Sequence, residues 1–187
     1  MTTAFPRKRF YSRARLDSRE GGFAVLLDEK PVLTPGRAVL LAPAQALGAA
    51  LVEEWESAPE RIDPDLMALT RLSMTAFDAG AERIAAWTAE VLKYAGGDLL
   101  CYRAHEPAAL ARRQEETWTP FLDWAGAALG ARLAVTHGVG AVPQPKEALD
   151  AVAARLAALD AWRLLGVRRA TEITGSAMLA LALESSA

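Results

Sequence analysis

The sequence predicts an α+β fold: a small N-terminal antiparallel β domain over residues 1–42, then a larger α-helical bundle domain over residues 43–187. Three observations carry this. Period-two alternation of apolar and polar residues is confined to the first forty-odd positions. Beyond Pro43, apolar residues recur at three- and four-residue spacing. The chain is also rich in Ala, the strongest helix former, and the β region is where Ala is sparser.

Residues 1–8 read as a loose basic start. In 9–16, Phe10, Ala14 and Leu16 share one face, with Arg9, Tyr11, Arg13 and Arg15 on the other, the pattern of a strand with one wet side. A turn over 17–22 contains Gly21-Gly22. Phe23, Val25 and Leu27 alternate along a second strand. Asp28-Glu29-Lys30-Pro31 connects it to a third short run at 32–34, and Pro35-Gly36 precedes a fourth at 38–41. Loops this short admit only antiparallel pairing.

The helical half opens with Leu47, Leu51 and Trp55 on one stripe, Glu53, Glu54 and Glu56 turned away, and Pro59 as the stop. Asp63-Pro64 is a start signal, an Asp cap with Pro in the first turn, ahead of Leu66, Leu69, Ser73 and Phe77. Ile84, Trp87, Val91 and Tyr94 mark the next helix, closed by Gly96-Gly97. Leu110, Gln114 and Trp118 follow Pro107 on one face, and Thr119-Pro120 either kinks that helix or restarts it. Residues 133–136 read as a short strand or an extended link, and Pro143-Gln144-Pro145 as a rigid linker. Leu149, Val152, Leu156 and Leu159 form an apolar stripe, and Asp160 caps the final helical region. From Ile173 to Leu183 only Thr174 and Ser176 are polar, so this segment is expected to be a helix buried on all sides. Such a helix so near the last residue suggests a chain cut short.

The 21 basic and 23 acidic residues nearly cancel, so net charge gives no pull toward nucleic acid or an anionic membrane. One cysteine, Cys101, excludes an intramolecular disulfide and a multi-cysteine zinc site. Two histidines, His105 and His137, argue against a His-based metal site, and no cofactor or metal is expected. The start has no apolar signal core, and no stretch is long enough for a membrane span.

Three features could carry chemistry. Glu53, Glu54, Glu56, Glu60 and Asp63 could serve acid–base chemistry or hold a divalent cation; the plainer reading is a solvated helix face. Cys101 has His105 four residues on, although a small buried cysteine is commoner than a nucleophile. Arg7, Lys8, Arg9, Arg13, Arg15 and Arg19, with Tyr11 among them, could bind RNA, or form a wet strand face balanced by acid elsewhere. Ser176 after Gly175 lacks the spacing of a nucleophile elbow and suits close helix packing. Gly138-Val139-Gly140 lacks a dinucleotide-site setting and reads as a turn. The residues alone thus support an α+β domain with no convincing active site, which favours a binding role over an enzyme.

The succession of segments goes further. RFYSRARLDSREGGFAVLLDEKPVLTP opens the chain, then EEWESAPERIDPDLMALTRL, KYAGGDLLCYRA, QEETWTPFLDWAGAALGARL, the PQP linker and TGSAMLALALE. From about Arg9 to Glu184 this order resembles the Atp-twelve family, assembly chaperones of the catalytic sector of the F-type ATP synthase. The resemblance implies a non-enzymatic chaperone that binds the free alpha subunit before it meets the beta subunit, without ATP hydrolysis; the chain is expected to be a monomer. It also implies an N-terminal β domain and a C-terminal helical domain. Family members occur in mitochondria, in the matrix, and in alphaproteobacteria; with no transit peptide ahead of its first strand, this chain is expected to be bacterial and cytoplasmic. It departs from the family in lacking a further helical segment with a Trp-Gly-Glu-Asp motif, which again suggests truncation. The matching motifs carry over six candidate partner-binding residues: Trp55, Asp63, Arg71, Asp98, Tyr102 and Arg103. Each has a structural alternative; Asp63 reads as a helix cap and Trp55 as core.

Overall fold

Two antiparallel hairpins organise the first part of the chain. Strands β2 (Ala14–Arg19) and β3 (Gly22–Leu27) pair with Arg19 opposite Gly22, leaving Glu20-Gly21 as the turn. Leu27 then faces Lys30 of β4 (Lys30–Pro31) across Asp28-Glu29. Strand β5 (Leu41–Ala42) joins the same edge of β3 at Phe23 and Ala24. With a partner on each edge, β3 is the sheet's centre, and Ala24, Val25, Leu26 and Leu27 are all buried. Helix α1 (Gln45–Glu56) packs on this sheet through Gly48. A Cβ there would lie 2.6 Å from Leu16 Cδ1 and 3.1 Å from Phe23 Cβ, so only glycine allows the helix this close. Strand β6 (Arg61–Ile62), a 3₁₀ turn (Pro64–Leu66) and α2 (Ala68–Phe77) complete this part.

A computed structural model describes residues 7–186 of the chain. It divides into two compact units, Met1–Ala79 and Gly80–Ala187. The hydrophobic period changes at Pro43, but the unit extends to Ala79, because α1 buries Gly48 and Leu51 against the strands.

The β region differs from expectation in its first strand. Of the loose start, residues 1–6 lie outside the described residues, while Arg7–Lys8 form β1 and pair with β6 apart from the main sheet. The strand expected over 9–16 begins only at Ala14. Its inferred faces are reversed at the start: Tyr11 is buried and Phe10 is exposed. The cause is local. Segment 9–13 has no ladder partner; its Ser12 and Arg13 N–H groups donate to the Asp28 carboxylate. Tyr11 can enter the interior because its hydroxyl donates to the Trp55 carbonyl at 2.5 Å.

Asp63 caps, as its sequence signal suggests, accepting from Asp65 N at 2.9 Å, but it starts only the 3₁₀ turn. Helix α2 begins after Met67, which has non-helical dihedrals, and Leu66, expected on its apolar face, is exposed.

In the second unit, α3 (Ala81–Gly96) buries Trp87, Val91 and Ala95. A 3₁₀ turn (Leu99–Cys101) leads into β7 (Tyr102–Arg103). Helix α4 (Ala108–Trp124) runs through Pro120 without restarting and passes into a π-helical turn (Ala125–Leu129). Residues Thr136–His137 form β8, parallel to β7, one residue beyond the stretch expected to be strand or link. Helix α5 (Lys146–Ala157) presents Ala148, Val152 and Leu156 inward. Asp160 caps α6 (Ala161–Thr174), accepting from Trp162 N and Arg163 N at 2.9 Å.

The terminal apolar segment is not one helix and is not buried all round. Gly175, at φ 71°, closes α6 in the left-handed conformation that glycine adopts without strain. Ser176 then caps α7 (Ala177–Ser185) by accepting from Leu179 N at 3.1 Å, so this fully buried serine also starts a helix. Ala177, Met178, Ala180 and Leu181 are buried, while Ile173 and Leu183 face outward. The architecture is α+β: a small antiparallel sheet, then helices. No helix of the described residues is long and apolar enough to cross a membrane.

Candidate functional site

Three of the six candidates lie in the first unit. Trp55, near the end of α1, is half-buried, and its ring meets Tyr11 edge-on at 5.7 Å. Tyr11 in turn stands edge-on to Phe10 at 5.5 Å. The Arg9 guanidinium lies 4.5 Å from the Tyr11 ring centre and donates to the carbonyls of Glu56 and Ala58. Burial raises the Tyr11 phenol's pKa, opposed by Arg9 and reinforced by Glu56. The Trp55 indole Nε1 is occluded and has no acceptor among the described residues.

This aromatic stack borders an apolar groove of about 610 Å³. Phe10, Pro31, Val32, Leu33, Trp55 and Met74 form most of its walls, and Lys30 is the charged residue on its rim. Phe10 is 66% exposed and Leu33 48%, so the rim offers large apolar groups to solvent. Trp55 is therefore neither fully core nor free: one side anchors α1 and another lines the groove.

Asp63 and Arg71 are not part of the groove. Asp63 is the cap described above. Arg71 is exposed and pairs with Asp65 at 2.8 Å.

The other three candidates cluster in the second unit. Asp98 is fully buried at the end of α3. Its Oδ1 accepts from Leu100 N at 3.0 Å and its Oδ2 from Met178 N at 3.1 Å, joining the 3₁₀ turn to the first turn of α7. Leu99 N donates to the Gly175 carbonyl at 3.2 Å beside it. Burial raises the Asp98 pKa, and hydrogen bonds from Met178, Ser176, Leu100 and Ala177 oppose that rise. Tyr102 and Arg103 make the parallel pairing with Thr136 and His137.

Arg103 is buried, and its guanidinium donates to the Gln114 carbonyl and to Thr119 Oγ1 (3.3 Å). It also lies 5.4 Å from the Trp118 ring centre. Gln114 closes the circuit by accepting from Ala104 N at 2.6 Å through its side chain. No carboxylate among the described residues lies within ion-pair distance of Arg103, and its Nε has no partner. A cavity of about 550 Å³ reaches it, lined also by Thr119, Leu122, Arg132, Val135 and His137.

The features considered for catalysis or RNA binding have other partners. Glu54 accepts from Leu69 N and Thr70 N, both at 2.7 Å, and so caps α2 from a neighbouring helix. Glu56 accepts from Ala14 N and pairs with Arg9; Glu60 pairs with Lys8. The acidic group is thus neither an open cleft nor simply a solvated face. Among the described residues no cluster of His, Cys, Asp and Glu could hold a metal ion. Cys101 is buried, and burial followed by the Asp98 charge pushes its thiol up to about 12, too high for a thiolate near neutral pH. In the basic start, Lys8, Arg9, Arg15 and Arg19 all form ion pairs with carboxylates.

The sequence pattern missed the groove. Lys30 and Pro31 register only as turn residues and Leu33 as strand, and Met74 is off the Leu66, Leu69, Ser73, Phe77 stripe. The available signal was Phe10, a large apolar residue within a basic run. Gln114 falls on the apolar-spaced face of α4, and nothing in the pattern marks it as the acceptor for both Arg103 and Ala104.

Fold and groove together define a two-unit α+β protein that presents an aromatic-based apolar groove on its first unit. The sequence profile of the ATP12 chaperone protein matches residues 8–126. The crystal structure of Atp12 from Paracoccus denitrificans superposes with a TM-score of 0.84 at 43% identity, over 94% of this chain and 76% of that one. A point mutant of the same Paracoccus protein gives 0.85 at 43% identity, over 94% and 75%. A candidate chaperone of Agrobacterium tumefaciens gives 0.84 at 43% identity, over 94% and 66%. The chain belongs to the ATP12 chaperone family.

Proposed function

We propose that this protein is an assembly chaperone of the F-type ATP synthase, acting in the bacterial cytoplasm, that binds the free alpha subunit, keeps it from aggregating and yields it to the beta subunit. The observation that carries this reading is membership of the ATP12 chaperone family, through a profile match over residues 8–126 and 43% identity to Paracoccus Atp12. The physics is consistent with it. Subunits of an alternating ring bury large apolar interfaces, and a lone subunit exposes them and associates wrongly. A chaperone that covers such a surface must bind it less favourably than the final partner does, or it would hold its client.

Of the six motif residues, Trp55 is assigned to the contact surface. Asp63, Asp98 and Arg103 act through the fold, as cap, clamp and hub, and Arg71 and Tyr102 are the weaker contact candidates. The test is co-purification of the chain with free alpha subunit, and light scattering of alpha subunit diluted from denaturant. Suppressed scattering, reversed by added beta subunit, supports the reading. Unchanged scattering and no co-purification would refute it.

A further inference from the structure

We infer that the groove between Phe10, Leu33 and Trp55 is the client-binding surface, and that it takes an apolar segment of the alpha subunit carrying an acidic residue beside its apolar side chains. This rests on the chaperone reading above.

The apolar half of the argument is the lining. Pro31, Val32 and Leu33 form one wall, Phe10 and Trp55 another, and Met74 a part that can adapt its shape. The aromatic side is held firmly. Tyr11 is fixed by its hydroxyl bond to the Trp55 carbonyl and by Arg9 over its face, and it supports both Phe10 and Trp55 edge-on. A preorganised aromatic wall loses little freedom on binding, and Trp, Tyr and Arg are the residues that dominate interface energies.

The acidic half follows from which charges are already used. Asp28 accepts from Ser12 N and Arg13 N. Glu29 pairs with Arg15 at 2.9 Å, and Glu56 is held by Arg9 and Ala14 N. Lys30 is exposed, lines the groove and has no ion-pair partner among the described residues. Lys30 is the charged side chain that lines the groove, so the charge a client meets there is positive, and the complementary client group is a carboxylate.

The probe is purified free alpha subunit, titrated against the full chain and three variants, Phe10→Ser, Leu33→Asp and Lys30→Glu. All three alter exposed side chains, and circular dichroism checks that each is folded. Phe10→Ser and Leu33→Asp are expected to weaken binding about tenfold or more. Lys30→Glu is expected to weaken it and to flatten its dependence on salt. A chain with a photo-crosslinking benzoylphenylalanine in place of Leu33 should capture alpha subunit, a readout that does not depend on any variant's affinity. If the unaltered chain binds alpha subunit while the variants bind equally well and position 33 captures nothing, the groove assignment is overturned and the chaperone reading stands. Capture of a second copy of this chain in place of alpha subunit also overturns it. If the unaltered chain itself fails to bind alpha subunit, the chaperone reading falls and the inference falls with it.

Discussion

Replacing Asp98 with Ala should be among the most damaging single changes in the second unit. The carboxylate accepts from Leu100 N at 3.0 Å and Met178 N at 3.1 Å and is fully buried. A hydrogen bond to a charged group contributes about 1.5–3 kcal/mol, and alanine would leave both N–H groups without an acceptor in the interior. Against that loss stands the relief of no longer burying a carboxylate, the effect that raises its pKa. The net expectation is a loss of about 2–4 kcal/mol, read as a lower urea midpoint with the slope unchanged. Asp98→Asn should fall between, because one amide oxygen can replace one acceptor while its NH₂ meets the other donor.

The pH dependence has a definite sign. Because the folded-state pKa is raised, the contribution of Asp98 to stability is greatest below the ordinary carboxylate range and is lost as pH rises through the raised value. The unaltered protein should show that decline superimposed on its other titrations, and Asp98→Asn should lack it. A loss under about 1 kcal/mol for Asp98→Ala would refute the clamp, and an identical pH slope in Asp98→Asn would refute the raised pKa.

Glu54→Ala removes the acceptor for Leu69 N and Thr70 N, and should cost about 1–2 kcal/mol with lowered hydrogen-exchange protection at the start of α2. Cys101 should resist iodoacetamide in the native protein at neutral pH and react readily in urea, because its thiol is buried and pushed up to about 12. Rapid native labelling, followed by mass spectrometry, would contradict the burial.

What the sequence made legible follows from how far each signal reaches. The hairpins, the Asp63 and Asp160 caps and the inward faces of α3 and α5 depend on residues within a few positions of one another. Period and cap chemistry report such features directly. From Ile173 to Leu183 composition shows how apolar the segment is but not where Gly175 breaks it into two helices. Tyr11 and Phe10 were reversed because alternation assumes a ladder, and 9–13 has none; its N–H groups go to Asp28, fifteen or more residues away. The Asp98–Met178 bond spans 80 residues. No local pattern marks such a contact, so Asp98 entered as a candidate only through the family motif.

That contact changes how the motif residues should be weighed. A motif can hold a residue because a partner touches it or because the fold needs it. Asp98 and Arg103 are buried and Asp63 holds a turn, so these three meet the second condition by their hydrogen bonds alone. Loss of function on changing them would report a damaged scaffold unless stability were measured beside it. Phe10, Lys30 and Leu33 are in the opposite position. They are exposed, so altering them costs the fold little, and any loss of binding they cause belongs to the surface. Contact and scaffold thus separate along a measurable axis: change in affinity against change in stability. Trp55, half-buried with one edge on Tyr11 and another in the groove, should move along both.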